Sequence, residues 1–269
     1  GASPNTLANG NNAVLLIQLS GNLLPPNVGG IALVGGGITM RGLVINRFDN
    51  SGFSGGWGVG LAGSGNNNIV EGNFIGTDPT GTIDMGNGNW GILMFDSSSF
   101  NTIGGTTPAA RNIISGNDLV GIQMSSGTNH SNTIQGNYIG TTASGASPLG
   151  NGVHGIAVAG STSNVIGGTT AGARNVISAN GAPGSDGDGI AIFGAQSMGN
   201  SVLGNYIGTD HTGLLDLGNL TEGVSIGDGA SNNTVGGTAA GAGNLISGNG
   251  GDGISIYYNG TSNIVEGNF

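Results

Sequence analysis

The stretch NTIQGNYIGT at 132–141 returns as NIVEGNFIGT from Asn68, as NSVLGNYIGT from Asn200 and as NIVEGNF from Asn263. The first asparagine of this motif stands at Asn68, Asn101, Asn132, Asn164, Asn200, Asn233 and Asn263, with gaps of 33, 31, 32, 36, 33 and 30 residues. A second column falls at Asn73, Asn112, Asn137, Asn175, Asn205, Asn244 and Asn268, and a third at Asn87, Asn117, Asn151, Asn180, Asn219 and Asn249. Three asparagines thus recur in each unit of about 32 residues, and a fixed period of this length marks a solenoid, propeller or array.

Between the asparagines the apolar residues alternate. Val70, Ile103, Ile134, Ile166, Val202, Val235 and Val265 follow the first column, and Ile75, Ile114, Ile139, Ile177, Ile207 and Ile246 follow the second. A third segment pairs Ile92 with Met94, Ile122 with Met124, Ile156 with Val158, Ile190 with Ile192, Val224 with Ile226 and Ile254 with Ile256. Period-2 alternation means strands with one buried face. Three short strands per unit, joined at corners, describe one coil of an all-β parallel β-helix. Stacked coils lie about 4.8 Å apart, so an inward-turned amide at a corner donates to one neighbouring coil and accepts from the other. Each column is therefore expected to be a ladder, with corner backbones in the left-handed region that Gly and Asn tolerate best.

Composition agrees with a packed repeat. The 60 glycines follow no Gly-X-Y period, which excludes collagen, and 36% hydrophobic residues with only 7% charged ones is not the signature of disorder. A net charge of −10, from 14 acids against four arginines and no lysine, disfavours nucleic acid and anionic membranes as partners. There is no cysteine for a disulfide, a thiol nucleophile or a Cys-ligated zinc. The longest apolar run, AVLLIQL at 13–19, is too short to insert into a membrane. A Cys-free surface rich in Gly, Asn, Ser and Thr is the kind found outside bacterial cells, so an extracellular or cell-surface location is expected.

The repeats NTIGGTTPAARNIISGN, NVIGGTTAGARNVISAN and NTVGGTAAGAGNLISGN resemble those of the right-handed parallel β-helix proteins of the pectate-lyase-like superfamily. Within it they look most like repeat regions of large secreted or surface-attached bacterial proteins. The resemblance covers about residues 30–269, and right-handedness follows from it and from the general rule for parallel crossovers. Two coil types alternate, because extra residues follow Ile103, Ile166 and Val235 in one and Ile75, Ile139 and Ile207 in the other. A single β-helix domain over 1–269 is expected, with irregular N-terminal coils at 1–48 and regular two-coil repeats of about 64 residues over 49–269. ITMRGLVINRF at 38–48 puts Ile38 and Leu43 where ladder asparagines belong, and Gly1 to Pro26 reads as one more imperfect coil. Phe269 falls inside a motif that elsewhere continues IGT, so either the chain is a piece of a longer protein or its ends meet neighbours.

Candidate chemistry is sparse. GVGLAG at 58–63 has the G-x-G-x-x-G spacing but no strand-turn-helix context, so it reads as a coil strand. The resemblance implies, for a polysaccharide lyase, a basic residue near calcium-binding carboxylates and, for a hydrolase, two or three clustered Asp. Here Asp78 and Asp210 lie four coils apart and Asp84 and Asp216 likewise, so no catalytic set is assigned, although Asp78 with Asp84 and Asp210 with Asp216 share loops. Asp186 and Asp188 in GSDGDG are candidate calcium ligands, against the reading of a solvated loop, and no other cofactor is implied. Arg111 and Arg174 are matched, and either bond loop carbonyls or a neighbouring Asp, or meet an anion. His130, His154 and His211 show no metal-ligand spacing. The residue after the second asparagine reads Phe74, Ile113, Tyr138, Val176, Tyr206, Leu245 and Phe269, an outward apolar stripe. It is either covered by the long inserts or packs on another protomer or a sugar ring.

Two functions are expected from these features. One is a non-enzymatic structural or interaction module of a bacterial surface, adhesive or matrix protein, self-associating end to end into filaments or along the stripe. The other is a carbohydrate-active enzyme or glycan-binding β-helix with a polysaccharide partner.

Overall fold

A computed structural model describes residues 1–49, 55–63, 65–125 and 128–269. The chain winds into about seven coils whose strands form three eight-stranded sheets, every neighbouring pair parallel. Each turn runs from the first sheet (Tyr138–Ile139 in a representative coil) through the second (Ile156–Ala159) to the third (Val165–Gly167). Strands of two to six residues are short because a corner follows each one.

The interior is a stack of like on like. Ile114 pairs with Ile139 and Ile139 with Ile177 in the first sheet, Ile122 with Ile156 in the second, and Ile134 with Ile166 in the third. All are fully buried in one continuous cluster that runs from Leu33 to Val235. The register is fixed by glycine at the entry to the second sheet. A Cβ on Gly121 would sit 2.7 Å from the Gly155 carbonyl oxygen and 2.8 Å from Asn151 Nδ2, closer than the coil spacing permits.

All three asparagine columns are ladders. In the first, Asn101 Nδ2 donates to Asn132 Oδ1 at 3.1 Å, Asn132 to Asn164 at 3.1 Å and Asn164 to Asn200 at 2.9 Å. In the second, Asn112 donates to Asn137 at 2.9 Å and Asn137 to Asn175 at 3.1 Å; in the third, Asn117 to Asn151 and Asn151 to Asn180, both at 2.9 Å. The same Oδ1 also accepts a backbone N–H of the preceding coil, as Asn132 Oδ1 does from Asn101 at 3.0 Å. The columns end as the substitutions at Ile38 and Leu43 foretell: their backbone N–H groups donate to Asn68 and Asn73, and no side chain carries the ladder further.

Two expectations are corrected in detail. The ladder asparagines do not hold the left-handed backbone; the residue before them does throughout the first column, as at Phe100 (φ 58°), Ser131 (φ 57°) and Ser163 (φ 55°), and on some coils of the others, as at Gly136 (φ 70°), whereas Arg111 and Arg174 before Asn112 and Asn175 have φ −62°. The asparagine's own backbone continues into the next strand while its amide turns inward. Nor is the segment from Gly1 to Pro26 a coil throughout. Only Ile17–Ser20 joins the first sheet, pairing with Leu43–Asn46. Residues 3–14 form a hairpin-like strap, closed by Ser3 and Val14, that lies across the outside of the solenoid. The boundary expected at residue 49 abuts residues 50–54, which lie outside the described set.

The strap has a physical cause. Phe74, Ile113, Tyr138 and Val176 point out of the main core and would form an open apolar face. Instead they are buried with Leu15, Val44 and Ala143 in a second cluster, against which Ala13 and Tyr206 pack. The inserts after the first sheet also close over it, linked by single bonds from Ala143 N to Gly81 O at 2.8 Å and from His211 N to Gly145 O at 2.9 Å. Coverage fades along the stripe: Tyr206 and Leu245 are half-buried and Phe269 is 84% exposed.

Candidate functional site

The residue preceding each Gly-Ile of the second sheet changes character halfway along the chain. Register places His154, Asp188, Glu222 and Asp252 on successive coils, each two positions before the paired strand residues Ile156, Ile190, Val224 and Ile254. Strand alternation turns the small residues Ala157, Ala191, Ser225 and Ser255 outward and aligns them, because they lie between inward-facing neighbours. Ala191 and Ser255 reach the cleft that opens here, while Ala157 and Ser225 are buried. The cleft, of about 640 Å³, is lined by His154, Asp186, Asp188, Glu222 and Asp228 together with Phe193, Tyr257 and Tyr258.

The aromatic wall is built by a missing side chain. Gly227 occupies the position that Phe193 holds one coil earlier, and a Cβ there would lie 2.4 Å from the Tyr257 ring, so the ring rests on bare backbone. Tyr258 meets Tyr257 edge-on, with ring centroids 5.1 Å apart at 82°, and is 74% exposed.

Stacking ionisable groups on successive coils couples their electrostatics. Asp188 accepts from Thr221 Oγ1 at 2.5 Å, Ser225 Oγ at 2.6 Å and the Glu222 N–H at 3.2 Å. Burial alone would push its carboxyl up, but the hydrogen bonds from Glu222, Ser225 and Thr221 outweigh it and hold it below the usual carboxylate range. Glu222 moves the other way: its interaction with the neighbouring Asp188 carboxyl, then burial, raise it. Asp188 N donates to His154 Nδ1 at 3.3 Å, which requires that nitrogen to be an unprotonated acceptor. Burial pushes His154 down despite Asp188 Oδ2 at 3.7 Å. An imidazole with an unprotonated Nδ1 and two carboxyl groups displaced in opposite directions therefore line one edge of the cleft.

The other candidates are structural. Asp78 accepts from Thr80 Oγ1 at 2.7 Å and from the N–H groups of Thr80, Thr82 and Ile83, tying its own insert into a turn. Burial raises Asp78, but these bonds outweigh it and hold it low. Asp210 does the same with Thr212, Leu214 and Leu215, while Asp84 and Asp216 accept from Gly86 and Gly218. Asp84 shares a shallow hollow with Asp118, whose carboxyl is pushed up first by burial and then by the charges of Asp84 and Asp49. GVGLAG supplies the second-sheet strand Val59–Leu61. Of the candidate calcium ligands, Asp188 has its oxygens occupied as above, and among the described residues no group of three or more His, Cys, Asp or Glu is arranged to hold a metal ion. Arg111 bonds loop carbonyls, those of Leu7, Ala8, Gly10 and Gly136, and lies 4.4 Å over the Tyr138 ring.

His154, Glu222, Asp228, Tyr257 and Tyr258 form the cleft but were not singled out as one site by the sequence reading. The signal was present in the succession H-G-I, D-G-I, E-G-V and D-G-I at 154, 188, 222 and 252, where the earlier coils have Trp90 and Val120.

No protein-family model matches the chain, and no curated protein does. Solved structures do. The A-module of the mannuronan C-5 epimerase AlgE6 of Azotobacter vinelandii is 16% identical, with a TM-score of 0.42, over 87% of this chain and 57% of that one. The pectate lyase Pel9A is 13% identical, TM-score 0.36, over 79% and 56%. The catalytic unit of an α-1,3-glucanase from Streptomyces thermodiastaticus is 15% identical, TM-score 0.24, over 90% and 49%. The chain thus spans about half the length of the solved structures it matches. The stacked parallel coils are seen directly in this chain. Likenesses this distant assign no activity to it.

Proposed function

We propose that the chain is a glycan-binding β-solenoid whose tyrosine-walled acidic cleft takes an uncharged or amine-bearing saccharide and does not cleave it. The observation that carries this reading is the meeting of aromatic rings and carboxyl groups around one hollow of about 640 Å³. Aromatic faces stack on the apolar faces of sugar rings, and carboxyl oxygens accept from hydroxyl or ammonium groups. Asp186, Asp188 and Asp228 repel polyuronates, and among the described residues no arginine lines the cleft to offset them. Cleavage by two carboxyls requires them about 5–9.5 Å apart across the scissile bond. Asp188 is instead held by donors of the next coil, Thr221 Oγ1, Ser225 Oγ and the Glu222 N–H. A stiff, lysine-free solenoid of this kind suits presentation of the cleft from a secreted or cell-surface protein, in line with the interaction module expected from the sequence.

A second reading, hydrolysis, is favoured by the opposite displacement of Asp188 and Glu222, the pattern that divides a carboxyl pair into base and acid. Calorimetric titration with neutral, aminated and uronate oligosaccharides, with parallel assay of reducing ends, separates the two. Saturable binding of neutral or aminated sugars, weakened by Tyr258→Ala and without new reducing ends, is the expected result. Binding of uronates alone would refute the proposal. Reducing ends that disappear in Glu222→Gln would put the hydrolytic reading in its place.

A further inference from the structure

The cradle that holds the N-terminal strap occurs twice, and this chain fills it once. In the filled cradle, Arg111 Nε donates to Gly136 O at 3.3 Å, its guanidinium lies 4.4 Å over Tyr138, and its outer nitrogens donate to the carbonyls of Leu7, Ala8 and Gly10. The Gly10 N–H in turn donates to the Tyr138 hydroxyl at 2.9 Å. One coil pair further on, Arg174 Nε donates to Gly204 O at 3.2 Å and the guanidinium lies 4.1 Å over Tyr206. The short 3-10 turns match as well, Pro108–Ala110 beside Arg111 and Ala171–Ala173 beside Arg174. Yet among the described residues no acceptor meets the outer nitrogens of Arg174 and no donor meets the Tyr206 hydroxyl. A hollow of about 220 Å³ leads from Ala8 and Asn9 of the strap to Arg174 and His211, so the second cradle continues the bed of the first. His211 Nδ1, at the edge of that hollow, is buried without a hydrogen-bond partner.

We infer that the Arg174–Tyr206 cradle is a docking site for the strap of a second copy of this chain. The strap is shaped to dock as a unit, because Asn5 holds its turn from within. Its Oδ1 accepts from the N–H groups of Leu7 at 3.0 Å and Asn12 at 3.1 Å, which makes the carbonyls of Leu7, Ala8 and Gly10 converge on one cation. A turn ordered before contact loses little entropy on binding. A guanidinium is met by backbone carbonyls through charge-assisted bonds, stronger than neutral ones. The half-exposed ring of Tyr206 supplies the same apolar platform as Tyr138.

The test frees the strap and asks where it goes. Arg111→Gln removes the contacts to Leu7, Ala8 and Gly10 while Arg174 stays intact; sedimentation velocity over a concentration series is then expected to show reversible dimers. Adding Arg174→Gln is expected to return the protein to monomers. In the same series, a labelled peptide of residues 3–14 is expected to bind Arg111→Gln at least about tenfold more tightly than the double variant, as loss of charge-assisted bonds implies. Circular dichroism of both variants, unchanged from wild type, establishes that the coils are intact. Association that persists in the double variant reflects exposed apolar stripe and overturns the inference, as does an Arg111→Gln protein that stays monomeric and leaves the peptide unbound.

Discussion

Asn132→Ala removes one rung from the middle of the first ladder. In the native chain Asn132 Oδ1 accepts from Asn101 N at 3.0 Å and Asn101 Nδ2 at 3.1 Å, while its Nδ2 donates to Ser98 O at 3.0 Å and Asn164 Oδ1 at 3.1 Å. Not all four losses weigh equally. Asn164 Oδ1 keeps the Asn132 backbone N–H at 2.9 Å, and Asn101 Nδ2 keeps Ser98 Oγ at 3.4 Å. The Asn101 backbone N–H and the Ser98 carbonyl are left without a partner in a site sealed from water. At about 1–3 kcal/mol for each buried unsatisfied group, the variant is expected to lose roughly 2–6 kcal/mol. That is a large share of the roughly 5–15 kcal/mol typical of a domain. Urea denaturation followed by circular dichroism measures the loss, with the exposed Asn22→Ala as the control expected to stay within about 0.5 kcal/mol. Because long repeat arrays lose two-state behaviour, hydrogen exchange at the Asn101 amide gives an independent local reading. A change below about 0.5 kcal/mol in Asn132→Ala, with Asn101 protection unaltered, would refute the view that the ladder bonds are stabilising.

Other outcomes follow from the same geometry. Gly121→Ala forces a Cβ to within 2.7 Å of Gly155 O and is expected to cost about 1–3 kcal/mol in urea, whereas Gly35→Ala, whose nearest contact is 3.7 Å, is expected to be neutral. Burial holds His154 below its ordinary value of 6.5, so its neutral form contributes stability above 6.5 that is lost as pH falls through the folded value. Asp188, held low, loses its contribution in the same direction further down, while Glu222, held high, loses its contribution as pH rises through its folded value. Thermal unfolding of His154→Gln is therefore expected to flatten the decline as pH falls below about 6.5 relative to wild type, and an unchanged slope contradicts the assignment. Arg111→Gln is expected to expose residues 1–14 to limited proteolysis while the coils resist; equal cleavage in wild type and variant contradicts the anchoring role.

The fold was legible because a solenoid repeats its reasons. The same Asn, the same Ile two places on and the same Gly before the second sheet recur on successive coils, so a local pattern states a long-range contact directly. What was hidden depends on residues that do not repeat. The strap occurs once, and nothing in PNTLANGNN says that it packs more than 100 residues away on Arg111. The cleft forms where His154, Asp188 and Glu222 replace apolar residues in one column, a change that matters only once register stacks them. The stripe was visible as a pattern, but whether anything covered it depended on the path of the strap.

The ladders themselves can be observed without mutation. Side-chain amide protons of Asn112, Asn117, Asn132, Asn137, Asn151, Asn175 and Asn205 each donate to the next rung and are buried from solvent. Hydrogen exchange of Nδ2 groups, followed by two-dimensional nuclear magnetic resonance after transfer to heavy water, is expected to leave these pairs visible long after Asn9 and Asn22 have vanished. If every asparagine side chain exchanges at the rate of an unstructured peptide, the stacked-amide architecture is wrong.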